Sequence, residues 1–398
     1  MEVWLFDIMT WPKLGNRTAM PYPGTEWDPQ LGMETYHGHL RFLQRADELG
    51  YDGVCLAEHH SKPYATCPSP NVMAAAVATH TTKAKIVLLG NCLPLHANPM
   101  RLAEELAIVD LLSRGRLVSG FIRGARTEWY MYSLDVTEIR GRFEEAWDLI
   151  VKCWTELEPF DWDGQYFHYD NISIMPRPVQ QPHPPLIMAA STAESLEWCA
   201  RRRIPVASSF APTESTRETF DYYRRYAREE CGWDPGPEYF MVSRQVYVAP
   251  TNEQACDEAG PHLMQFFSEA GPARRHSAKI EAYRAGARTE HSYAYKSRQG
   301  DVHTLEERDG VFTFQQVQQE GLAIVGDPDY VTQEIKAQQE ALGIGTFLTF
   351  VPFSTLPLSL ATKSIELFAQ EVLPHLRADP PPATSPTAVG GAWAPPGR

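Results

Sequence analysis

The chain has 398 residues, with 36 Lys and Arg against 50 Asp and Glu, and its formal net charge is −14. Hydrophobic residues make up 43% and charged residues 22%, which excludes a wholly disordered or fibrous chain. The negative charge argues against a nucleic-acid-binding protein, because such proteins present a basic surface to phosphate.

The beginning of the sequence, Met1-Glu2-Val3, lacks the basic region of a signal peptide. No stretch approaches the roughly 20 apolar residues that span a bilayer. We therefore expect a cytoplasmic protein with no membrane partner. The seven cysteines are widely spaced and never form a CxxC pair, so we expect neither a disulfide framework nor a metal site.

Eight apolar, strand-like segments alternate with segments of helical spacing. Such strands predict a parallel sheet covered on both faces, and eight units predict closure into a (β/α)8 TIM barrel. An open doubly wound sheet is the alternative, although the Gly-rich dinucleotide motif is absent after the first strand. The predicted strands are Val3–Met9, Gly53–Ala57, Ile86–Leu89, Leu117–Ile122, Leu186–Met188, Val206–Ser208, Phe240–Val248 and Gly345–Phe350. The predicted helices are Met33–Leu49, Asn71–Thr79, Pro99–Leu112, Ile139–Thr155, Ala193–Arg202, Glu218–Glu230 and Leu358–Leu376.

Three segments depart from this alternation: two lie within a single predicted barrel domain, residues 1–376, and the third follows it. Residues 159–185 are rich in aromatics and prolines and predict a hairpin that leaves the barrel. Residues 271–320 are polar and lack periodicity, which is typical of an insertion that acts as a lid or binding loop. Residues 377–398 are rich in Pro, Gly and Ala, and we expect a flexible tail.

Reactive residues of a TIM barrel lie where its strands end at the C-terminal face. Glu58-His59-His60 directly follows the second predicted strand. A carboxylate beside imidazoles there is suited to acid/base chemistry near neutral pH. A histidine that only caps the strand end is equally consistent with the pattern, whereas a metal site is disfavoured because adjacent side chains on a strand point to opposite faces.

The third and fourth strands also end in candidate binding residues. Gly90-Asn91 follows the third strand, where glycine either lets a flat ligand approach the backbone or relaxes a turn. Arg123-Gly124 follows the fourth strand. An arginine at this position binds an anion or pairs with a loop carboxylate.

The fifth strand leads through Ser191-Thr192 into a helix. Free N–H groups, the helix dipole and the hydroxyls of Ser191, Thr192 and Ser195 would favour a phosphate, although an ordinary Ser/Thr cap gives the same pattern. Phe6 and Phe210 are candidates for the wall of a substrate pocket, although aromatics near strand ends more often belong to the core.

Several stretches together resemble the bacterial luciferase-like flavin-dependent monooxygenases. These stretches are Gly50–His60, Pro68–Tyr130, Pro176–Ser195 and Val325–Leu376, in the same order along the chain. The resemblance covers most of residues 1–376 and implies a TIM barrel with an insertion near the last strands. It therefore agrees with the fold predicted from the alternation.

The resemblance also implies roles for individual residues. His59 would be an acid/base beside the reactive edge of the flavin, with Glu58 next to it. A non-proline cis peptide would lie against the ring within Leu89-Gly90-Asn91. Arg123 would reach the flavin phosphate and the backbone near Ala125 would contact the ring. The phosphate cradle would comprise Ala190, Ser191, Thr192 and Ser195. Where the luciferases carry a reactive cysteine before that arginine, this chain has Ile122, which argues against a thiol role and against bioluminescence.

The implied activity is that of a two-component monooxygenase. FMNH2 from a separate NAD(P)H:flavin reductase would react with O2 to a C4a-(hydro)peroxyflavin, which would oxygenate a small organic substrate. The implied assembly is a homodimer. Two alternatives stay open: a deazaflavin-dependent hydride-transfer oxidoreductase on the same barrel, and a flavin-binding protein without catalysis.

Overall fold

The structure is a computed structural model that describes residues 1–13, 24–270 and 313–377. The barrel strands are β1 Glu2–Phe6, β2 Gly53–Leu56, β3 Lys85–Cys92, β4 Leu117–Ile122, β7 Leu186–Ala189, β8 Val206–Ser209, β9 Phe240–Val248 and β11 Thr346–Phe350. These eight parallel strands close into a barrel in the order β9-β11-β1-β2-β3-β4-β7-β8, with β8 paired back to β9. The predicted TIM barrel is therefore confirmed, and each of the eight predicted strands corresponds to one barrel strand.

Helices surround this barrel and connect its strands. Their bounds are α1 Pro29–Leu49, α2 Pro70–His80, α3 Pro99–Ser113, α4 Arg126–Met131, α5 Ile139–Thr155, α6 Ala193–Arg202, α7 Thr213–Glu229, α8 Asn252–Ala270, α9 Phe314–Gln319, α10 Pro328–Leu342, α11 Leu358–Leu367 and α12 Leu373–Arg377. A π-helical turn, Phe368–Val372, joins the last two. The predicted helix Leu358–Leu376 is thus interrupted by one wider turn.

The first strand is shorter than the predicted Val3–Met9. It ends at Phe6, and Met9 has a positive φ of 57°. The buried Asp7 carboxylate accepts the Met9 N–H at 2.8 Å and binds His39 Nδ1 on α1 at 2.6 Å. This polar turn ends the strand, although the sequence continues with apolar residues.

Two further strands form the hairpin β5 Phe160–Asp163 and β6 His168–Ile172 within the segment 159–185. A short strand, β10 Ala323–Gly326, pairs with β9 outside the closed barrel and was not predicted. Residues 271–312 of the expected insertion and 378–398 of the expected tail lie outside the described residues. The end of the expected irregular segment forms the short helix α9.

Strands β3 and β4 approach unusually closely near the site. The Leu89–Gly90 peptide is cis, as the resemblance implies. The register shifts between Leu88 and Asn91. A Cβ atom on Gly90 would lie 2.5 Å from the Gly120 carbonyl oxygen. Gly90 is therefore required by the packing of one strand backbone against the next.

Two expectations from composition can be compared with the described residues. All seven cysteines are free, and five of them are buried. None of the helices within 1–13, 24–270 and 313–377 is long and apolar enough to cross a membrane.

Candidate active site

His59 lies just beyond the C-terminal end of β2 and is held by a carboxylate from a distant part of the chain. Its Nδ1 lies 3.0 Å from Oε1 of Glu128, which belongs to α4 after β4. The His59 side chain is 23% exposed. Its Nε2 has no hydrogen-bond partner among the residues that the structure describes. This nitrogen is therefore available to a molecule at the barrel mouth.

Glu128 is a buried carboxylate that accepts hydrogen bonds from four donors. Its Oε1 accepts from His59, from Lys62 Nζ at 3.0 Å and from the His60 N–H at 3.3 Å, and its Oε2 accepts from the Ala125 N–H at 2.9 Å. Burial alone would raise the pKa of Glu128, but the bonds from His59 and the charge of Lys62 hold it far below its ordinary value. The carboxylate is thus ionised, and it fixes the proton of His59 on Nδ1.

Glu58 does not pair with the adjacent His59. Its two oxygens bind His60 Nε2 at 2.8 Å, the Cys92 N–H at 2.8 Å and His96 Nε2 at 3.2 Å. Burial opposes ionisation of Glu58, but the bonds from the two histidines outweigh it and lower its pKa. The geometry makes Glu58 a link between β2 and the end of β3, and a contact between Glu58 and a flavin stays a prediction.

His60 is held at both ring nitrogens. Its Nε2 meets Glu58, and its Nδ1 lies 3.0 Å from the hydroxyl of Tyr132. Within the residues that the structure describes, His59 leaves a ring nitrogen open and His60 does not. This difference agrees with the choice of His59 that the resemblance implies.

Asn91 is the least satisfied polar side chain of this region. It is fully buried, and neither its Oδ1 nor its Nδ2 has a hydrogen-bond partner in the described structure. Buried amides are normally bonded, because an unmet donor or acceptor destabilises the fold. An amide that offers both a donor and an acceptor next to the cis peptide fits the edge of a flat heterocycle.

Arg123 joins the end of β4 to the N-terminus of α6. It donates to Thr192 Oγ1 at 3.2 Å and to Ser195 Oγ at 2.7 Å. Among the described residues it forms no ion pair with a carboxylate, which disfavours the loop-carboxylate alternative. Burial, and then the nearby charge of Arg140, lowers the pKa of Arg123.

A small cavity lies beside Arg123. Arg140 reaches it from the first turn of α5 and is bound to Glu144 and Glu194, each at 2.8 Å. Within the part of the chain that the structure describes, the indole N–H of Trp198 is buried there without a partner. Two guanidinium groups, the Ser195 hydroxyl and this N–H are donors suited to a phosphate dianion. The cavity is lined by Arg123, Arg140, Phe143, Glu144, Met188, Ser195 and Trp198.

The other predicted binding residues are less directly involved. Ser191 is exposed, Ala190 is buried at the end of β7, and the hydroxyls that meet Arg123 are those of Thr192 and Ser195. Ala125 uses its N–H to bind Glu128. A contact of Ser191 or of the Ala125 backbone with the cofactor stays a prediction.

Phe6 and Phe210, the two predicted pocket residues, lie on the other side of the barrel mouth. Both pack against Phe350: the ring centroid of Phe6 lies 5.2 Å from that of Phe350, and the ring centroid of Phe210 lies 5.8 Å from it. Phe6 is buried and Phe210 is half-buried.

The sequence analysis did not identify Glu128, Lys62, His96, Arg140 or Trp198. Glu128 is 69 residues from His59, and His96 is 38 residues from Glu58. No local spacing connects such pairs. The one available signal was the position of Glu128 in the segment that follows a barrel strand, where functional groups gather.

The donor set of the described site fits an FMN molecule. The cavity at Arg123 supplies cationic and neutral donors for a phosphate. The unpaired amide of Asn91 supplies a partner for the polar edge of a ring, and His59 supplies an open imidazole nitrogen. These three features lie at consecutive strands of the barrel: the cavity at β4 and β7, Asn91 at β3 and His59 at β2.

Comparison with known proteins gives one family match and several relatives. Residues 14–345 match the model of the luciferase-like monooxygenases. Limonene 1,2-monooxygenase of Rhodococcus erythropolis is 26% identical over 357 residues, covering 86% of this chain and 82% of that protein. The oxygenase component of the flavin-dependent trigonelline monooxygenase of Acinetobacter baylyi is 26% identical, covering 57% of this chain and 63% of that protein.

Solved structures agree on the fold. The monooxygenase RslO1 of Streptomyces bottropensis has a TM-score of 0.71 and 26% identity, covering 94% of this chain and 100% of its own. The oxygenating constituent of 3,6-diketocamphane monooxygenase from Pseudomonas putida, in complex with FMN, has a TM-score of 0.71 and 22% identity, with 94% and 98% covered. An F420-dependent secondary alcohol dehydrogenase has a TM-score of 0.64 and 17% identity, with 94% and 99% covered. The last two likenesses concern the fold alone.

Proposed function

The chain belongs to the luciferase-like monooxygenases, a family of flavin-dependent enzymes, and we propose that it is the oxygenase component of a two-component system. In this proposal, a separate NAD(P)H:flavin reductase supplies FMNH2, and one atom of O2 enters a small organic substrate. The observation that carries the proposal is the anion cavity in which Arg123 meets Thr192 and Ser195 beside Arg140. It suits the terminal phosphate of FMN.

Residues of this chain would hold the cofactor at two ends. Arg123, Thr192 and Ser195 would bind the phosphate, and the guanidinium of Arg140, which is paired with Glu144 and Glu194, lies nearby. Asn91 would bind the polar edge of the ring. Reduced FMN, when bound, supplies the electrons that activate O2.

His59 would act as the general base in this reaction. Glu128 holds the Nδ1 proton, so that Nε2 carries a lone pair and can accept a proton from a molecule at the mouth. The resulting imidazolium would be stabilised by the ionised Glu128, as a buried carboxylate stabilises a catalytic histidine in other enzymes. Lys62 and the Ala125 N–H keep Glu128 in place during this transfer.

The proposal also includes a homodimer. Ile108, Leu111 and Leu112 are three and four residues apart on α3, so they share one helix face. Each is at least 44% exposed. Exposed apolar faces of this kind mark protein interfaces, and a second copy of the chain would cover it. Light scattering of the wild type and of Leu111→Glu tests this point: the wild type should be a dimer and the variant a monomer.

An anaerobic titration followed by mixing with O2 tests the activity. FMNH2 should bind, and with reductase, NAD(P)H and ¹⁸O₂ the protein should place one labelled oxygen atom in an organic product. Limonene is a suitable first compound, since one relative of this chain is a limonene 1,2-monooxygenase. Binding of reduced deazaflavin in preference to FMNH2 would favour the hydride-transfer alternative. Tight FMN binding without any labelled product would favour the non-catalytic one.

A further inference from the structure

The mouth of the barrel has two chemically different halves. The strands β2, β3, β4 and β7 are consecutive in the barrel and lead to His59, Asn91, Arg123 and Thr192. The other four strands, β8, β9, β11 and β1, are also consecutive. The polar features of the proposed cofactor site thus occupy one half, and the second half has a different lining.

Four phenylalanines from separate elements meet in this second half. Phe350 at the end of β11 lies 5.2 Å from Phe6, 5.8 Å from Phe210 and 5.6 Å from Phe266, measured between ring centroids. Phe210 and Phe266 are 5.6 Å apart. We call these four rings, Phe6, Phe210, Phe266 and Phe350, the phenylalanine cluster. Its packed rings make this half of the mouth apolar.

Gln245 belongs to the same layer of the barrel. Parallel pairing aligns it with Phe350, which in turn aligns with Phe6, so the three side chains share one face of the sheet. The preceding residue, Arg244, binds Gln338 of the surrounding helix α10. Since side chains alternate along a strand, Gln245 points to the interior of the barrel.

The amide of Gln245 has an unused donor. The residue is 2% exposed, and its Nε2 has no partner among the described residues. A buried amide N–H of this kind is normally bonded. Next to a wall of aromatic rings, it is a specific partner for an oxygen acceptor on a bound molecule.

No charge is available on these four strands to bind an ionic substrate. Their ionisable residues are Glu2, Arg244 and Tyr247. Glu2 binds Lys85 at 2.6 Å, Arg244 binds Gln338 at 2.9 Å and Tyr247 binds Glu258 at 2.6 Å. A charged ligand would lose its hydration here without gaining a counter-ion from these strands.

We propose that this half binds the substrate and that Gln245 sets its specificity. The substrate class is an uncharged, largely apolar molecule with one oxygen acceptor, such as a ketone or an aldehyde, whose oxygen accepts from Gln245 Nε2. The phenylalanine cluster holds its hydrocarbon part. This inference rests on the proposed function, because it assigns the second substrate of the same barrel.

Ligand-detected NMR on the full-length protein tests this without turnover. The probes are cyclohexanone, its isostere methylenecyclohexane, in which the oxygen is replaced by CH2, and the anion cyclohexanecarboxylate. Cyclohexanone should bind about tenfold more tightly than methylenecyclohexane, which is the effect of one hydrogen bond to an otherwise unmet donor. The carboxylate should not displace cyclohexanone, because the four strands of this half offer it no counter-ion.

Gln245→Met keeps the volume and removes the donor, so it should abolish the preference for the ketone and leave the affinity for the alkene unchanged. Ser243→Ala is the matched control, since the described structure also leaves the buried hydroxyl of Ser243, on β9, without a partner. It should keep the preference. Phe210→Ala should weaken both neutral probes.

Equal binding of the two neutral probes to the wild type, or no binding of either, would overturn the inference. It would also be overturned by a preference that persists in Gln245→Met. The first comparison needs no variant and does not depend on how a variant folds. FMN binding, measured separately, tests the proposed function, so the two failures are distinguishable.

Discussion

Replacing Glu128 by Gln should remove the charge that organises the polar side of the mouth. The carboxylate forms a buried ion pair with Lys62, which is itself 7% exposed. Removing one partner of a buried pair costs about 3–5 kcal/mol, because the other charge is left uncompensated. The NH2 group of the new glutamine side chain would also replace an acceptor by a donor. It would then face another donor, either the N–H of Ala125 or the groups of His59 and Lys62. We expect the free energy of unfolding at neutral pH to fall by about 3–5 kcal/mol.

The effect should depend on pH in a defined direction. The pKa of Glu128 is held below its ordinary value of 4.5 in the folded protein. Its contribution to stability is therefore complete above pH 4.5 and is lost as the pH falls further, toward the folded pKa. Urea unfolding at pH 7 and at several values below pH 4.5 should show a difference between wild type and Glu128→Gln that shrinks with acidification.

A second measurement separates positioning from stability. In ¹⁵N NMR, the wild-type His59 ring should carry its proton on Nδ1, and Glu128→Gln should give a mixture of tautomers. Glu138→Gln is the matched control, because Glu138 is exposed and lies 3.7 Å from Arg142. It should change stability by less than about 1 kcal/mol. A Glu128→Gln protein with wild-type stability and an unchanged tautomer would refute this account of the carboxylate.

Three other substitutions test separate parts of the site. Arg123→Lys should weaken FMN binding by about tenfold or more, because an ammonium cannot reproduce the planar contacts of a guanidinium. Riboflavin, which lacks the phosphate, should bind as before. Equal losses of affinity for both ligands in calorimetry would contradict a phosphate site. His59→Ala should retain FMN affinity and lower the rate of product formation by about 10²–10⁴-fold; normal turnover in rapid-mixing experiments would exclude His59 from the reaction. Gly90→Ala should destabilise the protein by about 1–3 kcal/mol, since the new methyl would lie 2.5 Å from the Gly120 carbonyl oxygen; an unchanged melting temperature would show that the strands can separate.

The barrel could be predicted because each of its strands is a short apolar run between helices of regular period. The strand β10 was missed for a physical reason. Ala323–Gly326 has only four residues, pairs with β9 alone and adds nothing to the closed ring. The alternation of strands and helices, which identifies the barrel strands, therefore does not predict β10. The turn at Asp7 was missed because an apolar sequence continues through it.

The site could be predicted only where a strand end determines position. Arg123, Thr192 and Ser195 follow two neighbouring strands, and the structure brings their side chains together. Glu128 and Arg140 were not found, because His59 and Glu194, which they bind, are distant from them in the sequence. The pairing of Glu58 with His60 and His96, instead of His59, depends on side-chain directions that adjacent letters do not reveal.

The division of the mouth into two halves has a consequence for how such an enzyme can change. Contacts that would retain the cofactor come from β2, β3, β4 and β7, whereas the phenylalanine cluster and Gln245 come from the opposite strands and α8. Substitutions at Phe210 or Phe266 can therefore reshape the space offered to a new compound while the groups around Arg123 keep their geometry. A laboratory library restricted to these positions should diversify substrate range at little loss of flavin affinity, which makes the aromatic half the natural target for directed evolution.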